Sequence, residues 1–421
     1  MDYFSGIIIS QSHRRVTKRF WLFTSILINV GILGYFKYAN FFIDSFNDLL
    51  ISAGFQPNIS TLNIILPVGI SFYTFHGLSY VLDIYFGKFK VEKNIVNYSL
   101  FVCFFPMLLA GPIERAPHLL PQLWVGHHFN YQRIVDGMRQ FLWGFFKKVV
   151  IADNCATIVN QVFQDPGQHS GTTLVYAAFL FIFQVYADFS GYSDMALGTA
   201  RMLGIQLMKN FDTPFFSRDM AEFVGRWHIS LSTWFKYYIY KPAVKANSSA
   251  VRKYFFVFLI FLISGFWHGA RWTYIIVGIF AAIFVILSII LRPWTNRLVR
   301  DYKTAVIPSF GHLVMIFLNL SAATFLAVIF RNDSIHTTNA FAYGILTRFT
   351  ISYPDFLSWF LLLLILFMLA VEWMGRRNHH ILEKFGTNWN VVYRWAFYIL
   401  LLMIIALAMP KTQEDFIYFQ F

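Results

Sequence analysis

Trp272-Thr-Tyr-Ile-Ile-Val-Gly-Ile-Phe-Ala-Ala-Ile-Phe-Val-Ile-Leu-Ser-Ile-Ile-Leu291 runs for twenty residues without a charge. At about 1.5 Å per residue, a helix of that length crosses the roughly 30 Å hydrocarbon core of a bilayer. Stretches equally free of Asp, Glu, Lys and Arg occur at 20–36, 49–82 (apolar from about Leu62), 94–113, 166–187, 254–270, 305–330, 356–371 and 395–410. The segment from Phe141 to Phe163 is a further candidate, but Lys147, Lys148 and Asp153 make it amphipathic and suit it to the bilayer interface. The pattern predicts an all-α, polytopic integral membrane protein of nine to eleven transmembrane or re-entrant helices. It reads as a single membrane-embedded domain over 1–421, with its motif core at 106–291 and C-terminal helices at 305–410.

Composition agrees with that reading. Of 421 residues, 57% are hydrophobic and only 13% charged, against about 25% charged in ordinary soluble chains. Fifty Phe, 22 Tyr and 12 Trp exceed what a soluble interior of this size can bury, so lipid must cover the remainder. The excess of Lys and Arg over Asp and Glu, 34 − 21 = 13, lies in short segments between apolar runs, which is the positive-inside pattern and not a nucleic-acid footprint. By this rule Arg14, Arg15, Lys18 and Arg19 are cytoplasmic. So are the groups Lys245/Arg252/Lys253, Arg292/Arg297/Arg300/Lys303 and Arg376/Arg377/Lys384. The neutral loop 331–355 and the tail from Lys411 then fall outside, while the stretch from Gly111 to Pro242 does not resolve by parity. Cys103 and Cys155 alone provide neither a disulfide framework nor a cysteine-rich metal site. His127-His128 and His379-His380 are adjacent, not i, i+4, so they read as loop histidines and no metal is expected.

An ionisable residue at membrane depth is costly unless it is paired or lines a cavity. Ser264-Gly-Phe-Trp-His-Gly-Ala270 places His268 between two glycines at the far end of an apolar run. Glycine admits close approach of backbone or substrate, and a neutral imidazole takes a proton from a hydroxyl nucleophile. The competing reading is a packing histidine bonded to a backbone carbonyl. A second imidazole, His228, stands in Arg226-Trp-His-Ile-Ser-Leu-Ser-Thr-Trp-Phe235. Read as one interfacial helix, that stretch puts Trp227 and Trp234 on one side and Arg226, Ser230 and Thr233 in a polar stripe. Spacing alone favours an aromatic belt there over catalysis. Tyr186-Ala-Asp-Phe-Ser-Gly-Tyr-Ser-Asp194 sets Asp188 and Asp194 beside an uncharged run, with Arg201 two turns beyond Asp194, and predicts a buried polar network. Ser190 and Ser193 do not stand in a G-x-S-x-G elbow. Gly111-Pro-Ile-Glu-Arg115, by itself, is a helix terminus.

Taken in order, Gly111–Arg115, Asp188–Asp194, Asn210-Phe-Asp-Thr-Pro-Phe-Phe216, Arg226–Phe235 and Gly265-Phe-Trp-His-Gly-Ala270 resemble the membrane-bound O-acyltransferase family. Within it the likeness is to the branch that O-acetylates exported polysaccharides such as alginate, and it runs from about Asp2 to Phe280. The resemblance implies an O-acyltransferase with His268 as catalytic centre and His228 as a second functional residue. Asp188, Asp194, Arg226, Ser230, Trp227 and Trp267 then form the substrate-binding or structural polar network around them. It further implies acetyl-CoA as acyl donor, no bound cofactor, an exported polysaccharide as acceptor and an extracytoplasmic acyltransferase as partner. The place would be the inner (cytoplasmic) membrane, with lipid as surroundings. Members of the family usually carry another apolar stretch before the segment matching Asp2–Gly6, so this chain is expected to lack an N-terminal span relative to the family. Lys241-Pro-Ala-Val-Lys-Ala-Asn247 departs from the family's Gly-rich continuation, which keeps D-alanyl transfer to teichoic acid open. A secondary transporter is the alternative of another class. It predicts paired broken helices in two symmetric halves, and none are visible.

Overall fold

A computed structural model describes the chain except for residues 58, 110, 299–307, 411–415 and 418–421. The described residues form helices and no strand. Six helices are long and apolar enough to cross a membrane: Arg15–Ser52, Gly171–Met202, Ala250–His268, Trp272–Thr295, Phe310–Arg331 and Val391–Ala408. Ile95–Met107 and Trp359–Gly375 are apolar but shorter.

With shorter helices such as Ile70–Tyr85, Tyr131–Phe146 and Asp153–Gln164 these make the helical membrane architecture read from the apolar runs, although two of the runs are interrupted for local reasons. The run 49–82 turns at Gly54 and leaves helix before Pro57, resuming only as Ile70–Tyr85. The run 94–113 makes the short helix Ile95–Val102 and then a tight turn at Phe105–Met107, where Pro106 has no N–H to continue it. Arg300 and Lys303 of the basic loop, and Lys411 at the start of the tail, lie outside the described residues.

The axis of the bundle is the Gly171–Met202 helix. Four-fifths of its most apolar stretch (78%) is buried, against 22% or less for the other five span-length helices, so protein and not lipid surrounds it. Ser170 caps its start by accepting from the Thr173 N–H. Its end is a left-handed glycine turn: Gly204 has φ +87°, and the Ile205 N–H returns to the Ala200 carbonyl at 2.9 Å.

Against this axis runs the Tyr131–Phe146 helix, antiparallel and in backbone contact. A Cβ added at Gly144 would lie 2.4 Å from the Gly191 carbonyl oxygen, and one at Gly137 would lie 2.6 Å from that of Gly198. Two glycines seven residues apart on each helix therefore make the seam, which allows the close approach favoured between helices in lipid. Beyond the seam the chain passes through a wide π turn, Lys147–Ala152, into Asp153–Gln164. The charges of segment 141–163 face protein: Lys147 and Asp153 are 2% and 3% exposed, packed against the axial helix.

Polar contacts at the two ends order the stretch that charge parity left open. At one end, Arg331 donates to Asn160 Oδ1 at 3.0 Å and the Gly171 N–H to the Arg348 carbonyl at 2.8 Å, so residues 160–171 share a side with the 331–355 loop. At the other, Asp136 accepts from Arg201 at 2.7 Å and pairs with His380 at 2.8 Å, so 131–136 and 201 share a side with 376–384. His380 is thereby a buried structural residue, unlike the loose loop histidine expected, whereas His379 is exposed.

Gly144→Ala should lower the stability of the detergent-solubilised protein by about 1–3 kcal/mol, because the seam cannot yield without moving backbone. Gly31→Ala, where nothing lies within 4 Å of the added carbon, should leave the melting temperature unchanged or raise it. Equal melting shifts for the two variants would contradict the seam.

Candidate functional site

Trp267 and His268 end the Ala250–His268 helix. The next helix returns at once, and the two glycines around the imidazole make that hairpin possible. A Cβ at Gly265 would meet the Tyr274 carbonyl at 2.3 Å, and one at Gly269 would meet the Tyr274 ring at 2.1 Å. The motif left close approach of backbone or of substrate open, and both glycines serve close approach within the protein. The carbonyls freed at the helix end are taken up from a distant element. Lys37 donates to the Trp267 and His268 carbonyls at 2.8 and 2.9 Å, and the Tyr38 hydroxyl to that of Phe266 at 3.1 Å. Both come from a π turn, Gly34–Tyr38, inside the Arg15–Ser52 span. A cation at a helix C-terminus meets both the orphan carbonyls and the negative end of the helix dipole. Lys37 was missed as a site residue because it served only to end the first apolar run. The available signal was a lone lysine with apolar sequence on both sides.

The His268 ring packs on Trp267 at 4.9 Å and edge-on to Phe330 at 5.5 Å. It borders an apolar cavity of about 160 Å³, lined also by Phe181, Val185, Phe223, Trp227, Val277 and Phe330.

His228 arrives by a different device. The stretch 226–235 is not one helix: Met220–Arg226 stops, His228 takes φ +44°, and Ile229–Phe235 begins after it. The expected stripe of Arg226, Ser230 and Thr233 therefore does not form, and Trp227 and Trp234 part company. Trp227 stacks on Phe223 at 5.3 Å, while Trp234 packs on Phe75 at 4.7 Å. The break is held by a short pairing with the preceding motif. The Asp212 N–H bonds the Arg226 carbonyl at 2.9 Å, and the Ile229 N–H bonds the Asn210 carbonyl at 2.8 Å. Asn210 Oδ1 also contacts His228 Nδ1 at 3.1 Å and accepts from Ser230 Oγ at 2.9 Å. Ser230 in turn accepts the Ile113 N–H at 3.0 Å, and the neighbouring Glu114 N–H reaches His76 Nε2 at 3.2 Å. Gly111–Arg115 is thus part of the site's frame and not merely a helix terminus. Below it Glu114 bonds His118 at 2.7 Å, and that hydrogen bond raises the His118 pKa from its ordinary value.

The two imidazoles, forty positions apart in the chain, both pack against one indole. His228 makes a T-shaped contact with Trp267 at 6.0 Å, and Trp267 adjoins His268. Trp267 Nε1 and His228 Nε2 are buried and have no hydrogen-bond partner among the described residues.

Asp188 and Asp194 do form a polar network, but with lysines and not with Arg201 or Arg226. Lys147 donates to Asp194 at 2.7 Å and to Ser190 at 2.9 Å, and lies 3.7 Å from Glu372, which accepts from the Tyr186 hydroxyl at 2.8 Å. Lys148 bridges Asp153 and Asp188, each at 2.8 Å. The π turn at 147–152 presents these adjacent lysines to two different carboxylate sets. Arg226 pairs with Glu222 at 2.7 Å on its own helix. Neither Lys147 nor Glu372 was singled out as a site residue from the sequence, where Lys147 only made 141–163 amphipathic and Glu372 only bounded an apolar run.

A polar cavity begins at Lys147, Ser193, Asp194 and Asn210 and runs toward Arg376 and His379. It adjoins one of about 400 Å³ lined by Arg133, Asp136, Arg201, Lys209, His379 and Glu383. His268 thus borders the apolar cavity, while Asn210, the hydrogen-bond partner of His228, lines the polar one. Among the described residues no group of three His, Cys, Asp or Glu is placed to hold a metal.

Comparison with known proteins places these residues in a family context. A family described as membrane-bound O-acyltransferase matches residues 90–329, which contain Asp188, Asp194, Asn210, Arg226, His228 and His268 but neither Lys37 nor Glu372. The chain is 40% identical over 279 residues to a probable alginate O-acetylase of Pseudomonas aeruginosa, covering 66% of this chain and 53% of that one. It is 36% identical over 309 residues to a peptidoglycan O-acetyltransferase of Helicobacter pylori, covering 66% and 57%. It is 29% identical over 259 residues to a teichoic acid D-alanyltransferase of Bacillus subtilis, covering 58% and 64%. The chain spans between half and two-thirds of the length of these relatives.

Lys37→Met removes a charged donor from the two carbonyls at the end of the His268 helix. We expect a loss of about 1.5–3 kcal/mol in stability, read as a lower melting temperature in detergent. An unchanged melting temperature would mean that the end of the His268 helix is held by other contacts.

Proposed function

The chain belongs to the membrane-bound O-acyltransferase family, and from that premise we propose that it moves an acetyl group from a thioester donor toward hydroxyls of an exported cell-surface polysaccharide. The observation that carries this reading is the meeting of His228 and His268 across Trp267, with His268 at the edge of an apolar cavity. In such a transfer the acceptor oxygen bonds to the thioester carbonyl carbon while its proton passes to an imidazole. The tetrahedral oxyanion then collapses, the carbon–sulfur bond breaks, and the thiolate leaves with the proton. His268 is the base in this scheme and His228 the second imidazole. The buried N–H of Trp267, the indole both pack against, serves as a donor for the oxyanion, where a fixed hydrogen bond in a dry site is worth most.

Acetyl-CoA is the donor we favour. The charged cavity offers Arg133, Arg201, Lys209 and Arg376 for phosphate, and it opens on the side of the 376–384 loop, which the positive-inside rule assigns to the cytoplasm. The acceptor is an exported glycan in our reading because two of the relatives are named for O-acetylating alginate and peptidoglycan. An outer partner suits this reading: the 331–355 connection contains a single helix, Ile335–Thr347, and is below the roughly 50 residues of a minimal domain that could grip a polymer. We therefore read the chain as one stage of a relay, with an extracytoplasmic acyltransferase finishing the transfer.

In proteoliposomes supplied with radiolabelled acetyl-CoA, the wild type should hydrolyse donor or label a partner protein, and polymer should become labelled only when the partner is present. His268→Ala should reduce turnover to background and His228→Ala by at least ~100-fold, both with normal insertion. Full activity in His268→Ala, or efficient acetylation of polymer by this chain alone, would refute the base or the relay respectively. Orientation is checked separately in a Cys103→Ser background. A cysteine replacing the fully exposed Ile351 should react with an impermeant thiol reagent in intact cells, and one replacing Arg377 should not.

A further inference from the structure

We propose that Asn210 is a positioning residue that fixes His228 as its Nδ1–H tautomer, leaving Nε2 as the proton-accepting atom of the second imidazole. The inference rests on the acyl-transfer reading for its purpose but on local geometry for its content.

The argument follows the hydrogens. A backbone N–H only donates, so the Ile113 N–H, 3.0 Å from Ser230 Oγ, occupies a lone pair of that hydroxyl. The hydroxyl proton of Ser230 must then go elsewhere, and Asn210 Oδ1 accepts it at 2.9 Å. On its other side the Asn210 amide nitrogen donates to Ser193 Oγ at 3.0 Å. In that orientation the amide turns its oxygen toward His228. His228 Nδ1 lies 3.1 Å from that oxygen, and an acceptor at this distance requires the nitrogen to carry the hydrogen. Ser230 Oγ is 3.4 Å from the same nitrogen, too far to compete. A neutral imidazole protonated at Nδ1 has its lone pair at Nε2, and that atom is buried without a hydrogen-bond partner among the described residues. Asn210 is itself 1% exposed, and its own carbonyl accepts the Ile229 N–H, so it grips His228 through side chain and backbone together.

Asparagine is suited to this task because its oxygen accepts without charge. When Nε2 takes a proton, the imidazolium keeps its Nδ1–H on a neutral acceptor and gives the proton back readily. A carboxylate in its place would stabilise the imidazolium and hold the proton. The other charged and titratable groups around this ring are accounted for. His268 lies beyond Trp267 with Lys37 behind it, and the axial helix that carries Phe189 brings the Lys148–Asp188 pair. Arg226 and Glu222 are paired on His228's own segment, and Lys209 and Asp212 are paired beside Asn210.

The test has two arms. In the first, ¹⁵N-histidine-labelled wild-type protein in lipid nanodiscs is examined by NMR at neutral pH, with the His228 signals identified by their absence in His228→Gln. A protonated Nδ1 and a lone-pair Nε2 are expected, and the opposite tautomer overturns the proposal. In the second arm, Asn210→Ala and Asn210→Asp are compared in the acetyl-CoA turnover assay. Asn210→Ala should lower kcat by ~100-fold with little change in KM, in line with loss of a positioned acid–base group. Asn210→Asp should recover part of kcat and move the acidic limb of the pH profile to higher pH, since an adjacent negative charge raises the imidazole pKa. An Asn210→Asp profile superimposable on the wild type, or a loss confined to KM, refutes the role. The tautomer needs no turnover to be read. A wild type that shows Nδ1–H yet transfers no acyl group would therefore sink the proposed reaction while upholding what Asn210 does to His228.

Discussion

A backbone that leaves its helix inside a membrane protein must find hydrogen-bond partners in the protein, because the hydrocarbon offers none. The candidate site residues of this chain sit where that constraint is met. Between Met202 and Ile229 the chain is largely non-helical, and the pairing of Asn210 and Asp212 with Ile229 and Arg226 replaces the lost helical bonds. The break lets His228 point into the bundle. At the end of the Ala250–His268 helix the same demand is met by Lys37 and Tyr38, which hold the carbonyls of Phe266, Trp267 and His268. Each imidazole is thus placed by whatever satisfies the backbone around it.

Charge is subject to a stricter form of the same rule. Lys147, Asp194 and Glu372 are drawn from three helices and meet with the Tyr186 and Ser190 hydroxyls. Replacing one member of such a set strands the others in low dielectric, so the set ties its helices together more by the cost of being broken than by net attraction. Two π turns, at 34–38 and 147–152, widen their helices where a lysine has to be aimed inward. Glycines do the opposite work. At 137, 144, 191 and 198 they bring two helices to backbone contact, and at 265 and 269 they let Tyr274 fold back over the end of the histidine helix.

The consequence for chemistry is a divided site. The indole of Trp267 contacts both imidazoles. An apolar cavity reaches His268 from one direction, and a charged cavity reaches Asn210 and Ser193 from another.

Apolar runs of twenty residues, a deficit of charge and five ordered motifs were enough to establish a helical membrane protein of this family and to single out both histidines. Those features are local: hydrocarbon length is a matter of residue count, and a histidine among apolar neighbours stands out wherever the chain goes. The sequence by itself could not tell that 226–235 is broken at His228, because its tryptophan spacing suits a continuous helix and only the contacts with Asn210 and Asp212 favour the break. Nor could it tell that Lys37, Lys147 and Glu372 belong inside. A charge at the end of an apolar run looks the same whether it faces water or a buried partner, and only tertiary structure, by bringing that partner from another helix, decides which.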